Sequence, residues 1–170
     1  MSELEDKAIE FATKAHGDQK YGTYPYERHL SDVAAVAKFH KLPEAVQIAA
    51  WLHDTLEDTN TRYNEIVHAF GSEIAILVYA VTNEYGKTRK ERNAKTYPKI
   101  KANKLAISLK LCDRIANLKF SIAQKDTGKV GMYLKEHEEF KLALYTNGDW
   151  KNLWDQLEAL IVLGKSLIQA

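Results

Sequence analysis

Residues 49–58 read Ala-Ala-Trp-Leu-His-Asp-Thr-Leu-Glu-Asp, and this stretch decides how the chain folds around its chemistry. It begins as an apolar helix and ends in one histidine and three acids. On a helix, His53 lies one turn before Glu57, because side chains four positions apart share a face. Asp54 lies one turn before Asp58 for the same reason. A solvated face does not normally continue such an apolar run, so we expect these side chains to line an interior site.

Carboxylates that are buried together need a counter-charge, since an unpaired buried ion costs several kcal/mol or takes up a proton. A divalent metal ion supplies that charge. His29 precedes the stretch and Asp113 follows it, so the chain offers two imidazoles and four carboxylates to one ion and one activated water. Ligands of these types, without thiolate, suit manganese, iron, nickel or zinc better than calcium or a structural zinc cage.

Two plainer interpretations stay open. In the first, the histidines and aspartates are core polar groups that form hydrogen bonds with one another without a metal ion. The concentration of acids disfavours this interpretation. In the second, Glu57 and Asp58 only terminate their helix. Acids at the carboxyl end of a helix oppose its dipole, which disfavours this interpretation.

The composition predicts one domain in the cytoplasm. A chain of 170 residues suffices for a single domain with a substantial core. No apolar run approaches the roughly 18 residues of a membrane-spanning helix, and the acidic stretch Met1–Asp6 is unlike a signal peptide. Cys112 is the only cysteine, which fits a reducing compartment. We expect no membrane partner, and the sequence leaves a homo-oligomer open.

The net formal charge of +1 gives no general attraction for nucleic acid, so we expect a small anionic ligand that is held locally. The segment Lys87–Lys95 carries five cations and one acid. It either faces such a ligand or forms the solvated start of a helix.

Nearly every segment has helical periodicity, and no convincing strand alternation occurs, so the sequence predicts an all-α protein. We expect one domain over residues 1–170, with a core at about 2–120 and C-terminal helices at 129–168 packed on it. The third helix is expected to continue through His53 and Asp54 to Asp58. Expected helix caps are Ser2, Asn60 or Thr61, Ser72 and Asn103.

The order His29, His53-Asp54, Asp113 resembles the metal-binding signature of the HD phosphohydrolase superfamily. Further motifs resemble the hydrolase domain of the Rel/SpoT alarmone enzymes and the small alarmone hydrolases of the metazoan SpoT homologue type. These motifs are Ala15-His16-x-x-Gln19, Pro25-Tyr26-x-x-His29, Leu52-His53-Asp54-Thr55-x-Glu57-Asp58-Thr59, Phe70-Gly71, Val81-Thr82 and Lys110-Leu111-x-Asp113-Arg114-x-x-Asn117. They extend from the first helix to about Phe120.

The resemblance implies a single HD-domain helical bundle that binds one divalent ion, usually Mn²⁺. It implies removal of pyrophosphate from the 3′ position of guanosine tetraphosphate or pentaphosphate (ppGpp or pppGpp). The implied metal ligands are His29, His53, Asp54 and Asp113. The implied catalytic residues are Glu57 and Asp58, which act on the attacking water, and Asn117, which is a nearby polar contact.

A polyanionic substrate at an acid-rich site requires cations at the rim. We expect at least part of the segment Arg89–Lys95 to face the metal cleft. The ring of Tyr21 offers a base a surface to stack on. Arg28 and Arg114 either bind phosphate or pair with site carboxylates. The expected substrate contacts are Lys20, Tyr21, Arg28, Arg89, Arg92, Lys110 and Arg114.

The loop at residues 19–26 departs from the alarmone pattern, because only Lys20 keeps the charge of a basic pair and Leu30 replaces a proline after His29. Two alternatives therefore stay open. One is an HD phosphohydrolase that acts on another nucleotide, such as NADPH or a deoxynucleotide. The other is a non-catalytic nucleotide-binding module, which the Glu57-Asp58 pair disfavours.

Overall fold

The computed structural model describes residues 2–169, which form ten α-helices and one small hairpin. The expected all-α class is confirmed, apart from strands β1 (Lys20–Tyr21) and β2 (Tyr24–Pro25), which pair antiparallel and which the sequence pattern did not predict. None of these helices combines the length and the apolar character needed to cross a membrane. The helices are α1 Glu3–His16, α2 Glu27–Phe39, α3 Glu44–Leu52, α4 Thr55–Asp58, α5 Tyr63–Phe70, α6 Ser72–Val81, α7 Arg89–Lys101, α8 Lys104–Ala123, α9 Thr127–Leu144 and α10 Lys151–Gln169.

Helix α8 lies at the centre of the bundle and packs against α2, α3, α6, α7, α9 and α10. Its start is fixed by the Asn103 side chain, which accepts hydrogen bonds from the amides of Leu105 and Ala106, so that the expected cap is confirmed. Leu111 and Ile115 are completely buried, and each such side chain contributes about 1.5–3 kcal/mol to stability. This packing carries the polar residues of α8 into the interior.

The C-terminal helices α9 and α10 pack against α8 and against each other. Phe140 of α9 and Trp154 of α10 are buried and lie ring to ring, with centroids 5.8 Å apart. These contacts place α9 beside the polar face of α8. The division of the chain into a core at about 2–120 and an attached C-terminal part stays a prediction.

The expected continuous helix from α3 to Asp58 is wrong, because α3 ends at Leu52 and α4 begins at Thr55. Two side chains bond to carbonyl groups that a continuing helix would use. His53 Nδ1 lies 2.8 Å from the carbonyl oxygen of Ala50, and the Thr55 hydroxyl donates to Leu52 at 2.7 Å. On a regular helix, neighbouring side chains point about 100° apart. The break lets two adjacent side chains turn toward the same point.

Two expected caps are also wrong, whereas the cap at Ser2 is confirmed by its bond from the amide of Glu5. The Thr61 hydroxyl bonds to Thr59, and α5 begins after Arg62, whose amide donates to the Glu65 carboxylate. Ser72 is already the first residue of α6, and the residue before it is Gly71. Gly71 has a φ of 88°, a left-handed conformation that glycine adopts without strain.

Candidate metal centre

Three parts of the chain meet at one point inside the bundle. Helix α2 contributes His29, the junction of α3 and α4 contributes His53 and Asp54, and α8 contributes Asp113. The Nε2 atoms of the two histidines lie 3.2 Å apart. Asp54 Oδ2 lies 3.3 Å and 3.0 Å from these two nitrogens, and Asp113 Oδ1 lies 3.4 Å and 3.7 Å from them. The structure thus brings donor atoms of His29, His53 and Asp113 within 4.8 Å of one another, and Asp54 lies within 3.3 Å of both histidines.

The donor set fits a divalent ion. Ligand atoms about 2.0–2.2 Å from one ion lie about 3 Å from their neighbours in its coordination sphere, which is close to the separations found here. The Nδ1–H of His53 has the Ala50 carbonyl as its partner, so its Nε2 lone pair is free to bind a cation. His29 Nδ1 is buried without a hydrogen-bond partner within residues 2–169. Two imidazoles and carboxylate oxygens suit a transition-metal ion such as manganese, iron or zinc.

The charges around this point favour a cation. Burial by itself lowers the pKa of His53, but the charge of Asp54 and hydrogen bonds with Asp113 and Asp54 outweigh it, and the net pKa lies well above the ordinary value. Burial raises the pKa of Asp54, but the charge of His53 brings it well below the usual range. For Asp113, burial likewise raises the pKa, and the charge of Lys110 outweighs it. The centre therefore stabilises positive charge between its imidazoles and carboxylates.

Asp113 is oriented by its neighbours on α8. Lys110 Nζ donates to Asp113 Oδ2 at 2.8 Å, and the Asn117 amide donates to Oδ1. The Tyr21 hydroxyl donates to the Asn117 side-chain oxygen at 2.9 Å, and its ring lies 4.8 Å from that of His29. Lys110 is mostly buried, so its charge is committed to Asp113. Lys110, Asn117 and Tyr21 thus contact the candidate ligands, whereas sequence reasoning gave Lys110 and Tyr21 to the substrate.

The Tyr26 hydroxyl links the acid Asp58 to the candidate metal ligand Asp54. The Tyr26 hydroxyl is 2.7 Å from Asp54 Oδ2 and 3.1 Å from Asp58 Oδ2. The Gln19 amide donates to the same Asp58 oxygen at 3.1 Å. Burial, and next the charge of Asp54, raise the pKa of the Tyr26 phenol. Sequence reasoning gave no role to Gln19 or Tyr26, although both belong to motifs that carried the family resemblance.

Glu57 is held from another direction. Its carboxylate accepts from the Asn83 backbone amide at 3.1 Å and from the Asn83 side-chain amide at 2.9 Å. Asn83 follows α6, and the next residue, Glu84, is fixed through its amide to the buried hydroxyl of Thr96 on α7. The adjacent acids Glu57 and Asp58 therefore bond to different parts of the chain. No local signal in the sequence marks Asn83.

The expected substrate contacts lie in several places. Arg89 and Arg114 meet at one carboxylate, that of Glu136 on α9. Arg92 donates to the carbonyl of Gly86 at 3.4 Å, inside its own segment. Their role in substrate binding stays a prediction, as does the orientation of the segment Arg89–Lys95 toward the cleft. Lys20 is exposed on β1, and Arg28 pairs with Asp32 one turn along α2.

A family model described as an HD domain matches residues 8–135 of the chain. A guanosine-3′,5′-bis(diphosphate) 3′-pyrophosphohydrolase of Aquifex aeolicus is 42% identical over 119 residues, which cover 66% of this chain and 17% of the relative. A GTP pyrophosphokinase rsh of Brucella ovis is 31% identical over 98% of this chain and 26% of the relative. The chain thus spans about a sixth to a quarter of the length of these curated relatives.

Two solved structures share the fold. A metazoan orthologue of SpoT, described as hydrolysing ppGpp and acting in starvation responses, has a TM-score of 0.81 and 22% identity, with coverage of 95% of this chain and 96% of the other. The protein lmo0812 of Listeria monocytogenes EGD-e has a TM-score of 0.68 and 23% identity, with coverage of 84% and 99%. At these identities the likeness establishes the architecture alone.

Proposed function

The chain belongs to the HD domain family, and we propose that it hydrolyses ppGpp and pppGpp by releasing pyrophosphate from the 3′ position. The observation that carries the proposal is the convergence of His29, His53, Asp54 and Asp113. The Tyr26 hydroxyl contacts both Asp54 and Asp58 and so connects Asp58 to this group. The relative from Aquifex aeolicus, which bears the name of this activity, adds support.

We propose Mn²⁺ as the ion, because a set of imidazoles and carboxylates without thiolate suits it. When bound, a divalent ion neutralises phosphate charge and lowers the pKa of a water molecule. His29, His53, Asp54 and Asp113 would hold it, since these four side chains converge at one point. A cytoplasmic location, a single domain over residues 1–170 and a small-molecule nucleotide as the substrate, without a nucleic-acid or membrane partner, belong to the same proposal.

In the reaction, a water oxygen attacks the phosphorus next to the 3′ oxygen of the nucleotide. The bond from that phosphorus to the 3′ oxygen breaks, which releases pyrophosphate, and the 3′ oxygen takes up a proton from solvent to leave GDP or GTP with a free 3′ hydroxyl. Asp58 orients the water and accepts its proton, since a carboxylate within hydrogen-bond reach acts as a general base. Glu57, whose carboxylate is held by Asn83, is the second acid of the pair that acts on the water. Asn117 donates to Asp113 and would thereby orient the carboxylate that holds the ion.

The substrate carries several negative charges and must approach an acid-rich centre. Lys110 is committed to Asp113, so the rim depends on other cations. Lys20 is exposed beside Tyr21 on the hairpin, and we propose that it contacts a phosphate group. Arg28, Arg89, Arg92 and Arg114 contribute positive potential around the cleft, although each already has a partner within the protein.

The proposal is tested with purified protein, Mn²⁺ and a panel of ppGpp, pppGpp, NADPH and deoxynucleoside triphosphates. We expect pyrophosphate together with GDP or GTP from the first two. Asp58→Asn should lower kcat by about 100-fold or more and keep Mn²⁺ binding, because it removes only the general base. Asp155→Asn, on the exposed side of α10, is the matched control and should behave as the wild type.

Other products, or none, would contradict the proposed function and indicate a different one. Orthophosphate from NADPH, or triphosphate from a deoxynucleotide, would assign the site to another nucleotide. Tight nucleotide binding without turnover of any compound in the panel would make the protein a binding module.

A further inference from the structure

Three side chains in the motifs of the α1–α2 region have no assigned role in the chemistry described above. The motif that ends α1 supplies His16 and Gln19, and the motif after the hairpin supplies Tyr26. His16 Nδ1 lies 2.8 Å from the side-chain oxygen of Gln19, which leaves the Gln19 amide pointing at Asp58. The His16 ring stacks on Tyr26 with centroids 4.4 Å apart. These side chains form one connected group that ends at Asp58.

The hydroxyl of Tyr26 lies between two carboxylates with different tasks. It is 2.7 Å from Oδ2 of Asp54, the oxygen that also faces the Nε2 atoms of both histidines. It is 3.1 Å from Oδ2 of Asp58. A phenol has a single proton to donate, so its position constrains both carboxylates together. Gln19 supplies a second donor to Asp58, and Asp58 is thereby fixed from two sides.

The ring of Tyr26 does not depend on its hydroxyl for placement. One face stacks on His16, and its edge contacts the rings of His29 and Tyr21, with centroids 5.6 Å and 6.2 Å away. These are contacts of the ring, and none of them involves the hydroxyl oxygen. The hydroxyl therefore serves the carboxylates rather than the packing of the loop.

We propose that Tyr26 is a positioning residue that couples the metal ligand Asp54 to Asp58, with Gln19 as the second residue that orients Asp58. The link from Tyr26 to Asp54 concerns metal binding and stands without any assigned substrate. The link to Asp58 rests on the proposed function. Partners of metal ligands commonly change metal affinity by about 10–100-fold when they are replaced.

The first test is calorimetric titration of Mn²⁺ into Tyr26→Phe and Tyr63→Phe. Both variants lose one phenol oxygen, but the Tyr63 hydroxyl has no hydrogen-bond partner within residues 2–169, and its partly exposed ring lies against Tyr79 of α6. We expect Tyr26→Phe to bind Mn²⁺ about tenfold more weakly than the wild type and Tyr63→Phe to match it. An unchanged affinity in Tyr26→Phe, with a thermal melt like that of the wild type, would overturn the link to Asp54.

The second test uses Gln19→Ala and separates kcat from KM in the release of pyrophosphate. Gln19 contacts Asp58 and no metal ligand, so kcat should fall about tenfold, while KM and Mn²⁺ affinity stay within about twofold of the wild type. A merely structural role would lower the melting temperature and leave the kcat of the folded protein unchanged, and that result would remove Gln19 from the proposal. If the wild type binds Mn²⁺ but releases no pyrophosphate, the proposed function fails. The Mn²⁺ comparison of Tyr26→Phe still decides its link to Asp54.

Discussion

Asp113 and Arg114 are neighbours on α8, but they enter two buried polar clusters of opposite character. Arg114 donates to Glu136 at 3.0 Å and lies over the ring of Phe140 at 4.5 Å. Glu136 also pairs with Arg89, whose side chain is partly exposed, so the buried guanidinium of Arg114 has its counter-charge within the chain. We call it the arginine cluster and the group around Asp113 the metal cluster.

The metal cluster has too little positive charge of its own. Lys110 offsets one aspartate, while His29 and His53 carry positive charge only when protonated, a state that the neighbouring aspartates favour by raising their pKa. Within residues 2–169, the rest of the cluster gains a cation only by taking up protons or binding a metal ion. The comparison teaches that burial alone does not mark a functional polar group. A functional polar group is marked by a deficit of counter-charge around it, because that deficit predicts a ligand from outside the chain.

The change with the largest expected effect removes one carboxylate from the metal cluster. Asp113→Asn keeps the size of the side chain and deletes both a charge and a metal-binding oxygen. We expect no Mn²⁺ binding at concentrations that saturate the wild type, and a loss of kcat/KM of at least about 1000-fold, since the ion is worth several kcal/mol to the reaction. Calorimetry and pyrophosphate release measure the two effects. Full Mn²⁺ binding by this variant would show that Asp113 is not a ligand.

A substitution in the arginine cluster should lower the free energy of unfolding and leave the Mn²⁺ affinity unchanged. Glu136→Gln leaves the buried Arg114 without a counter-charge, and removal of one partner from a buried pair costs about 3–5 kcal/mol. Glu136 keeps some contact with solvent, so we expect roughly 2–3 kcal/mol, measured by urea unfolding. Mn²⁺ affinity should not change. The matched control is Glu139→Gln, which breaks an exposed pair with Lys90 and should leave the unfolding midpoint unchanged. A weakened Mn²⁺ affinity in Glu136→Gln would show that the two clusters are coupled.

A smaller effect should appear at acid pH. Burial raises the pKa of Glu136, but its hydrogen bond from Arg89 and the charge of Arg114 outweigh this, and the net pKa lies below the ordinary value of 4.5. A carboxyl group whose folded-state pKa is depressed stabilises the protein above its unfolded-state pKa, and the stabilisation disappears as the pH falls through the folded-state pKa. The stability difference between the wild type and Glu136→Gln should therefore be largest near pH 7 and shrink below about pH 4.5. Urea unfolding at both pH values measures it, and a difference that grows toward acid would contradict the assignment.

The sequence predicted much of the metal cluster and little of the arginine cluster. His29, His53, Asp54 and Asp113 were identified by residue type and by order along the chain, and the structure brings them together. The sequence predicts Arg89 at the substrate and Arg114 either there or at a site carboxylate, and no local pattern indicates that a carboxylate of α9 lies beside both. The sequence does not identify Tyr26, Gln19 and Asn83 as hydrogen-bond donors, for the same reason. Each donates to an acid that lies far away in the sequence.

The sequence by itself determined the all-α class, the start of α8 at Asn103 and the types of ligand available to a cation. Helical periodicity and capping act between residues a few positions apart, so they can be read along the chain. Only the tertiary structure decided that α3 stops at Leu52, that Asp58 and Glu57 bond to different partners, and that Arg114 pairs with Glu136. Those choices depend on distances of a few ångströms between side chains on different helices. Such distances exist only once the whole core has packed.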